Sequence, residues 1–158
     1  MIDSSEDEVR WLDAGEMAAW RSYVVSSALL EHRLNRDLQE AHDLSMADYE
    51  ILVRLSEQAG HRMRMTELAK EVAHSKSRIS HQVRRLERAG LVRREECPED
   101  GRGIFAALTP AGHRRLRTAA PTHVASVRAN LIDLLDPAEH ELLAKVFDRV
   151  GARLRDDS

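Results

Sequence analysis

The segment from Ser75 to Thr109 constrains the fold more than any other part of the chain, because its first half reads as a helix with one apolar and one basic side. Apolar side chains at Ile79, Val83 and Leu86 are spaced by four and three residues, so they line one face of a helix over residues 75–88. The side chains that point elsewhere are those of Lys76, Arg78, His81, Arg84 and Arg88. The pattern predicts a helix that packs by its apolar stripe and presents positive charge outward.

The residues after this helix predict a small hairpin. Gly90 is typical of the position that follows a helix C-terminus. Residues 91–95 then alternate like a strand, residues 98–103 read as a polar loop, and residues 104–108 can return as the partner strand. The expected structure is a helix followed by a two-stranded wing.

Charge is distributed unevenly along the chain. The formal net charge is -3, yet residues 61–117 hold 14 Lys or Arg against 7 Asp or Glu, a charge of +7, so the remainder carries -10. Affinity for a polyanion depends on local positive potential, so a basic central lobe favours contact with nucleic-acid phosphates. A solvated charged surface without such a partner is the alternative interpretation.

Three further helices are predicted before the basic helix. Apolar spacing predicts one over residues 14–41, with no proline or glycine between Glu16 and Leu44. Ser45 can cap another over residues 46–58, and a short one is expected over residues 66–73. Two short helices joined by a tight turn, here residues 66–73 and 75–88, are typical of a helix-turn-helix. The apolar positions that support the first helix are Met17, Trp20, Val24, Ala28, Leu34 and Leu38.

Prolines mark the beginning and the middle of the helix that follows the wing. Thr109 followed by Pro110 combines a capping residue with the favoured first-turn proline, so a helix should begin there. Pro121 lies inside the same helical stretch, where it removes a backbone donor and crowds the preceding turn. We therefore expect a kink near residues 119–120.

The last helix has a clear start and a wide apolar face. Asp136 is the expected cap, Pro137 the first-turn residue, and Glu139 completes a capping box. The apolar face is wider than a terminal helix needs to cover its own small core, which favours burial against a second copy of the chain. A monomer that folds both ends over one core is the alternative. The face consists of Leu142, Leu143, Val146, Phe147, Val150 and Leu154.

Composition excludes several classes of protein. A chain of 158 residues with 42% apolar and 32% charged residues suits one globular domain or a small dimerising unit. Apolar runs stay well short of the ~20 residues of a membrane span, and the acidic N-terminus does not resemble a secretory signal. We therefore expect no membrane partner and a cytoplasmic location. The single cysteine, Cys97, excludes an intrachain disulfide and a multi-cysteine zinc site.

No catalytic or cofactor constellation can be assembled from the residues. His140 and Glu141 begin like a zinc-protease motif, but Ala144 stands where the second histidine would be. The glycines of the wing lie in a predicted hairpin tip and do not open a helix as a phosphate-binding loop would. The Gly-x-Ser-x-Gly motif is absent. We predict that the chain is not an enzyme and has no metal or cofactor.

Three motifs follow one another through the centre of the chain. Residues 86–94 read Leu-Glu-Arg-Ala-Gly-Leu-Val-Arg-Arg, residues 100–102 read Asp-Gly-Arg, and residues 108–112 read Leu-Thr-Pro-Ala-Gly. Together with the order of elements they resemble the MarR family of winged-helix transcriptional regulators over nearly the whole chain. The resemblance implies a homodimer, a palindromic operator in double-stranded DNA, repression that is often autoregulatory, and frequently release by a small ligand.

The same resemblance assigns residues to DNA. Arginine can donate two bonds to guanine or bind phosphate, while serine and histidine can contact a base edge or a phosphate. Arg102 would enter the minor groove, and Asp100 would hold its guanidinium; a turn-forming aspartate beside an exposed arginine is the alternative. The major-groove residues are Ser75, Lys76, Ser77, Arg78, Ser80, His81, Arg84 and Arg88.

The sequence argues against redox sensing and zinc sensing. Cys97 has both arginines and glutamates nearby in the sequence, so its thiolate is not clearly favoured and we expect it to be unreactive. His42 and His113 resemble positions of zinc-responsive relatives, but Arg117 stands where those carry a further histidine, which argues against zinc.

A conventional effector would bind where the terminal helices meet the winged lobe. Its chemical class stays open. Trp20, Tyr23 and Tyr49 are candidate linings, although their helical spacing favours the core.

The predicted fold is mainly α with a small β wing. Residues 45–109 would form a winged helix-turn-helix DNA-binding lobe, and residues 1–44 and 110–158 would form the dimerisation helices. The predicted function is a sequence-specific transcriptional regulator, a homodimeric repressor. A winged-helix module that docks an acidic protein in place of DNA is the alternative function.

Overall fold

The computed structural model of the chain describes residues 9–72, 76–97, 99, 101 and 103–156. These residues form a mainly helical fold with one small sheet, which confirms the predicted fold class. The elements in chain order are α1 (Ala14–His42), α2 (Met46–Glu57), β1 (Arg62–Arg64), α3 (Met65–Glu71), α4 (Lys76–Arg88), β2 (Val92–Glu96), β3 (Ile104–Leu108), α5 (Pro110–Asn130) and α6 (Pro137–Asp156), with short 3₁₀ turns at Ala59–His61 and Ile132–Leu134. We call α2 through β3 the winged lobe.

The predicted helix starts are confirmed by their capping bonds. Ser45 Oγ accepts the backbone N–H three residues further on at 3.1 Å, and Thr109 Oγ1 accepts the N–H of Gly112 at 3.0 Å. Asp136 and Glu139 form a reciprocal capping box, with both bonds at 2.9 Å. Each cap satisfies an N–H that the first turn of a helix would otherwise leave unpaired.

The sheet has one strand more than predicted. Its order is β1-β3-β2, with both pairings antiparallel. β1 has three residues and pairs with β3, with Arg62 opposite Ala107 and Arg64 opposite Phe105. A strand this short shows no alternation that a sequence pattern could detect, and it exists only because β3 supplies its hydrogen bonds.

Several predicted boundaries shift by one residue; α1, for example, ends at His42 and α2 at Glu57. β2 begins at Val92, one residue later than predicted, because the Leu91 N–H still bonds the carbonyl of Leu86 in α4 at 3.0 Å. α3 ends at Glu71; the predicted end of that helix at Ala73 lies outside the described residues.

α5 runs as one helix from Pro110 to Asn130 through Pro121. The proline therefore does not end the helix, and a bend at residues 119–120 stays a prediction. Ala119, just before this proline, is completely buried against the core.

The core lies in the winged lobe. The predicted stripe of α4 is confirmed, since Ile79 and Val83 are fully buried and Leu86 is 2% exposed. Leu38 of α1 and Ala119 of α5 join the same cluster. The remaining core members are Leu44, Tyr49, Ile51, Leu52, Leu55, Met63, Leu68, Ala69, Val72, Leu91, Val92, Ala106 and Leu108.

Several large apolar residues of α1 and α6 stay exposed. The prediction that Trp20 and Tyr23 belong to the core is wrong for the single chain, because they are 55% and 48% exposed, whereas Tyr49 is buried as predicted. The ring centre of Tyr23 lies 6.1 Å from that of Trp20 and 5.3 Å from that of Phe147 in α6, and both ring pairs are tilted. Helical spacing identifies an apolar face but does not say what covers it.

Candidate nucleic-acid interface

One side of α4 points directly away from the core. Ser77, His81, Arg84 and Arg88 are all exposed and are spaced by four, three and four residues, which aligns them on the face opposite the buried stripe. We call these four residues the α4 outer stripe. It spans about 16 Å of helix, which suits contact with several adjacent base pairs.

The flank of α4 that faces α2 is held by Arg85. Its Nη2 donates to Ser45 Oγ at 2.9 Å and to Asp48 Oδ2. The side chain of Asp48 is only 7% exposed, so this carboxylate needs the cation beside it. The hydrogen bond that Arg85 donates to Asp48 raises the pKa of Arg85 above its usual range. The pair fixes α4 against the first turn of α2.

The opposite flank of α4 is tied to the sheet. Glu87 accepts from Arg94 Nε at 2.8 Å and from the Arg94 backbone N–H at 3.2 Å. Because α4 is bonded on both flanks and packed on its inner face, the outer stripe is held in one direction.

The arginines on the outer face of the sheet are already paired. Glu95 accepts from Arg93 at 2.6 Å and from Arg62 at 3.3 Å, and the bond from Arg93 is the main reason that the pKa of Glu95 lies below its usual range. The guanidinium of Arg62 also lies 4.9 Å from the ring centre of Phe105. We therefore place the interface on α4 and not on this face.

The structure brings four of the ten predicted site residues together, namely those of the outer stripe. Arg78 is exposed on the α2 side of α4, and Ser80 is half-buried on the other side. Ser75, Asp100 and Arg102 lie outside the described residues, as does the side chain of Lys76.

The sequence pattern does not reveal the role of Arg85 or its partners. Arg85 lies two positions after the buried Val83 and one position after Arg84 of the outer stripe, so helical spacing alone leaves its role open. Its assignment required the position of Asp48, which is 37 residues away along the chain.

The histidines considered for zinc have other neighbours. His42 Nε2 lies 2.7 Å from Thr122 Oγ1, and the ring of His113 packs edge-on against His61 at 4.4 Å. Within residues 9–72, 76–97, 99, 101 and 103–156, no three His, Cys, Asp or Glu side chains come close enough to hold a metal ion. Cys97 is buried, with its Sγ 3.3 Å from an Arg64 nitrogen.

Two clefts lie where the terminal helices meet the winged lobe. One of about 640 Å³ separates the end of α1 from the start of α5 and from the turn after α4. The other, of about 480 Å³, lies between α1 and α2 and reaches Arg78. Their positions match the location expected for an effector.

His123 of α5 lies where that helix meets Tyr49 of α2, and it is half-buried. The ring of His123 packs on Tyr49 at 4.5 Å. Burial lowers the pKa of His123 and raises the pKa of Tyr49. His123 is therefore neutral in the folded chain near neutral pH.

We expect the free energy of unfolding to fall when the pH is lowered from about 7.5 to about 5.5. Unfolded His123 takes up a proton near pH ~6.5, whereas the folded residue does so at lower pH. Between these values the unfolded chain binds more protons, so stability is lost as the pH falls. Urea unfolding of His123→Phe, which keeps a ring but cannot titrate, should show a smaller loss than the parent.

His32→Phe is the matched control, because His32 is exposed on α1. It should lose as much stability as the parent. Equal losses in His123→Phe and the parent would contradict the prediction.

The chain is similar to known regulators over most of its length. The model of the MarR family matches residues 42–103. AbsC from Streptomyces coelicolor, a MarR family transcriptional regulator of known structure, is 50% identical, with 94% of this chain and 99% of AbsC covered at a TM-score of 0.89. Sco3205 from the same organism, solved in complex with DNA, is 45% identical over 90% of each chain at a TM-score of 0.88. The repressor YetL from Bacillus subtilis is 29% identical over 89% of this chain and 85% of YetL.

The fold and the outward basic helix define a winged helix-turn-helix protein of the DNA-binding, transcription-regulating class. The chain belongs to the MarR family of transcriptional regulators, which confirms the family inferred from the three sequence motifs. Its relatives are transcriptional regulators and not enzymes. No helix within the described residues is both long enough and apolar enough to cross a membrane.

Proposed function

We propose that the chain is a homodimeric repressor that binds a palindromic operator through α4. The observation that carries this proposal is the α4 outer stripe, which combines exposed arginine, histidine and serine side chains on a helix held on three sides. Residues 45–109 would form the DNA-binding lobe, and residues 1–44 and 110–158 the dimerisation helices. Two relatives support this proposal, because Sco3205 was solved in complex with DNA and YetL is named a transcriptional repressor.

The site residues divide by chemistry. His81, Arg84 and Arg88 project from the outer stripe and can donate to base edges in the major groove. Arg78 lies on the flank of α4, where a groove-bound helix faces the phosphates. In this proposal the wing residue Arg102 enters the minor groove, held by Asp100. The full set is Ser75, Lys76, Ser77, Arg78, Ser80, His81, Arg84, Arg88, Asp100 and Arg102.

Dimerisation is supported by exposed apolar surface on the terminal helices. Trp20, Val25 and Leu29 on α1 are 55%, 58% and 65% exposed, and Leu142 and Leu154 on α6 are 61% and 64% exposed. A soluble monomer does not usually leave such a set uncovered. A two-fold dimer would cover it and place two outer stripes ~34 Å apart, on successive major-groove faces.

Val150→Asp should convert the dimer to monomers. Val150 is 44% exposed and lies at the centre of the apolar face of α6, so a buried carboxylate there would cost several kcal/mol per interface. Sedimentation should show a monomer, and the helix content of the variant should be unchanged. Ala152→Asp is the matched control, since Ala152 is exposed on the opposite side of the same helix; it should stay dimeric. Two variants of equal mass in solution would contradict the assignment of this face.

Effector release and cellular location complete the proposal. A small ligand in either junction cleft would lower DNA affinity only if it favoured a spacing of the two α4 helices that the operator does not accept. A DNA-binding repressor acts in the cytoplasm and needs no catalytic site, so we propose a cytoplasmic protein that is not an enzyme.

Genomic fragments retained by the purified protein test this function. We expect the selected fragments to share a palindrome, to include the upstream region of the chain's own gene, and to bind with an affinity that falls steeply with salt. Retention of acidic proteins with no retained DNA would favour the docking module instead.

A further inference from the structure

The end of α4 is shaped so that two carbonyls are available to another element. Gly90 adopts φ +72°, a left-handed conformation that glycine adopts without strain. Its N–H bonds the carbonyl of Glu87 at 2.9 Å, and the N–H of Leu91 bonds the carbonyl of Leu86 at 3.0 Å. This Schellman motif ends the helix and turns the carbonyls of Gly90 and Leu91 away from it.

Both carbonyls are bound by Thr109, the cap of α5. Thr109 Oγ1 donates to the carbonyl of Gly90 at 2.6 Å, and the Thr109 N–H donates to the carbonyl of Leu91 at 3.1 Å. The same hydroxyl accepts the N–H of Gly112 at 3.0 Å. The cap therefore does two things at once, since it begins α5 and binds the turn that ends α4.

Gly112 allows this close approach. A Cβ at this position would lie 2.1 Å from the carbonyl oxygen of Leu91 and 2.6 Å from a methyl of Leu108. The first turn of α5 thus lies directly on the backbone of the turn after α4. We call Gly90, Leu91, Thr109 and Gly112 the α4–α5 latch.

The latch joins the DNA-reading helix to the helices proposed to dimerise. α5 packs along α1, and Ser126 of α5 donates to Asp37 of α1 at 2.6 Å. Because the latch bonds the start of α5 to the turn after α4, a movement of either helix is transmitted to the other. We propose that Thr109 and Gly112 are positioning residues that set the distance between the two α4 helices of the dimer, an inference that rests on the proposed function.

Half-site spacing tests this inference. The parent, Thr109→Val and Thr109→Ser are compared on the palindrome at its natural spacing and with one or two base pairs inserted or removed between half-sites. Valine keeps the shape of threonine but loses both hydroxyl bonds, whereas serine keeps them. We expect Thr109→Val to reduce the preference for the natural spacing about tenfold, the equilibrium equivalent of one or two hydrogen bonds. Thr109→Ser should retain the preference of the parent within about twofold.

A merely structural role would not change this ratio, because partial unfolding lowers binding to every duplex alike. Equal spacing preference in Thr109→Val and the parent would overturn the inference and leave the proposed function intact. Failure of the parent itself to bind any of the duplexes would overturn the proposed function and the inference together.

Discussion

Gly112→Ala should destabilise the folded chain by about 3 kcal/mol or more and lower its melting temperature by roughly 10 °C. The added Cβ would lie 2.1 Å from the carbonyl oxygen of Leu91. That oxygen belongs to backbone that is bonded on both sides, by Thr109 and by the end of α4, so it cannot move without breaking the latch. Urea and thermal unfolding followed by circular dichroism measure the change.

Gly101→Ala is the matched control for this substitution. A Cβ at Gly101 would meet no atom of the described residues within 4 Å, and its φ lies outside the left-handed region. This variant should unfold within about 0.5 kcal/mol of the parent. If Gly112→Ala were as stable as Gly101→Ala, the close approach of α5 to the turn after α4 would be wrong.

Arg84→Ala should weaken operator binding by about 1 to 3 kcal/mol in each half-site, which is up to about a hundredfold per site. Arg84 is exposed on the α4 outer stripe, opposite the buried residues of the same helix. If it reads a base, its removal should weaken binding to the operator more than binding to unrelated DNA. Fluorescence anisotropy with both duplexes measures the two affinities.

Arg102→Ala should cost a similar amount but weaken binding more evenly across sequences, because the minor groove offers few base-specific contacts. Arg149→Ala removes the same charge from α6 and is the control; it should bind like the parent. If Arg84→Ala and Arg102→Ala both bound like the parent, the assignment of DNA-binding residues would be wrong.

Features that depend on a few neighbouring residues could be predicted from the sequence. The caps at Ser45, Thr109 and Asp136 require only a side-chain oxygen and an N–H three residues away, so their positions were correct. The buried stripe of α4 could also be predicted, because a helix repeats every 3.6 residues and the apolar side chains of this stripe follow that period.

Features that depend on distant residues could not be predicted in this way. β1 forms only against β3, more than 40 residues later. The exposure of Trp20 and Tyr23 depends on what covers α1, which periodicity does not specify. Position 112 suits only glycine because the carbonyl oxygen of Leu91 lies too close for a Cβ. The motif at residues 108–112 contains this glycine but does not show that contact.

The same distinction applies to the site. Spacing placed His81, Arg84 and Arg88 on the outward side of α4, and the structure places them there. It could not reveal that Arg85 is bound to Asp48, because that requires the relative position of two helices.

Sedimentation of the purified chain with and without a duplex carrying the selected palindrome tests the central claim most directly. We expect a dimer in free solution and two chains on each duplex, with affinity falling roughly a thousandfold between ~50 and ~200 mM salt if about six phosphates are contacted. A monomer that leaves the duplex unbound even in dilute buffer would contradict it.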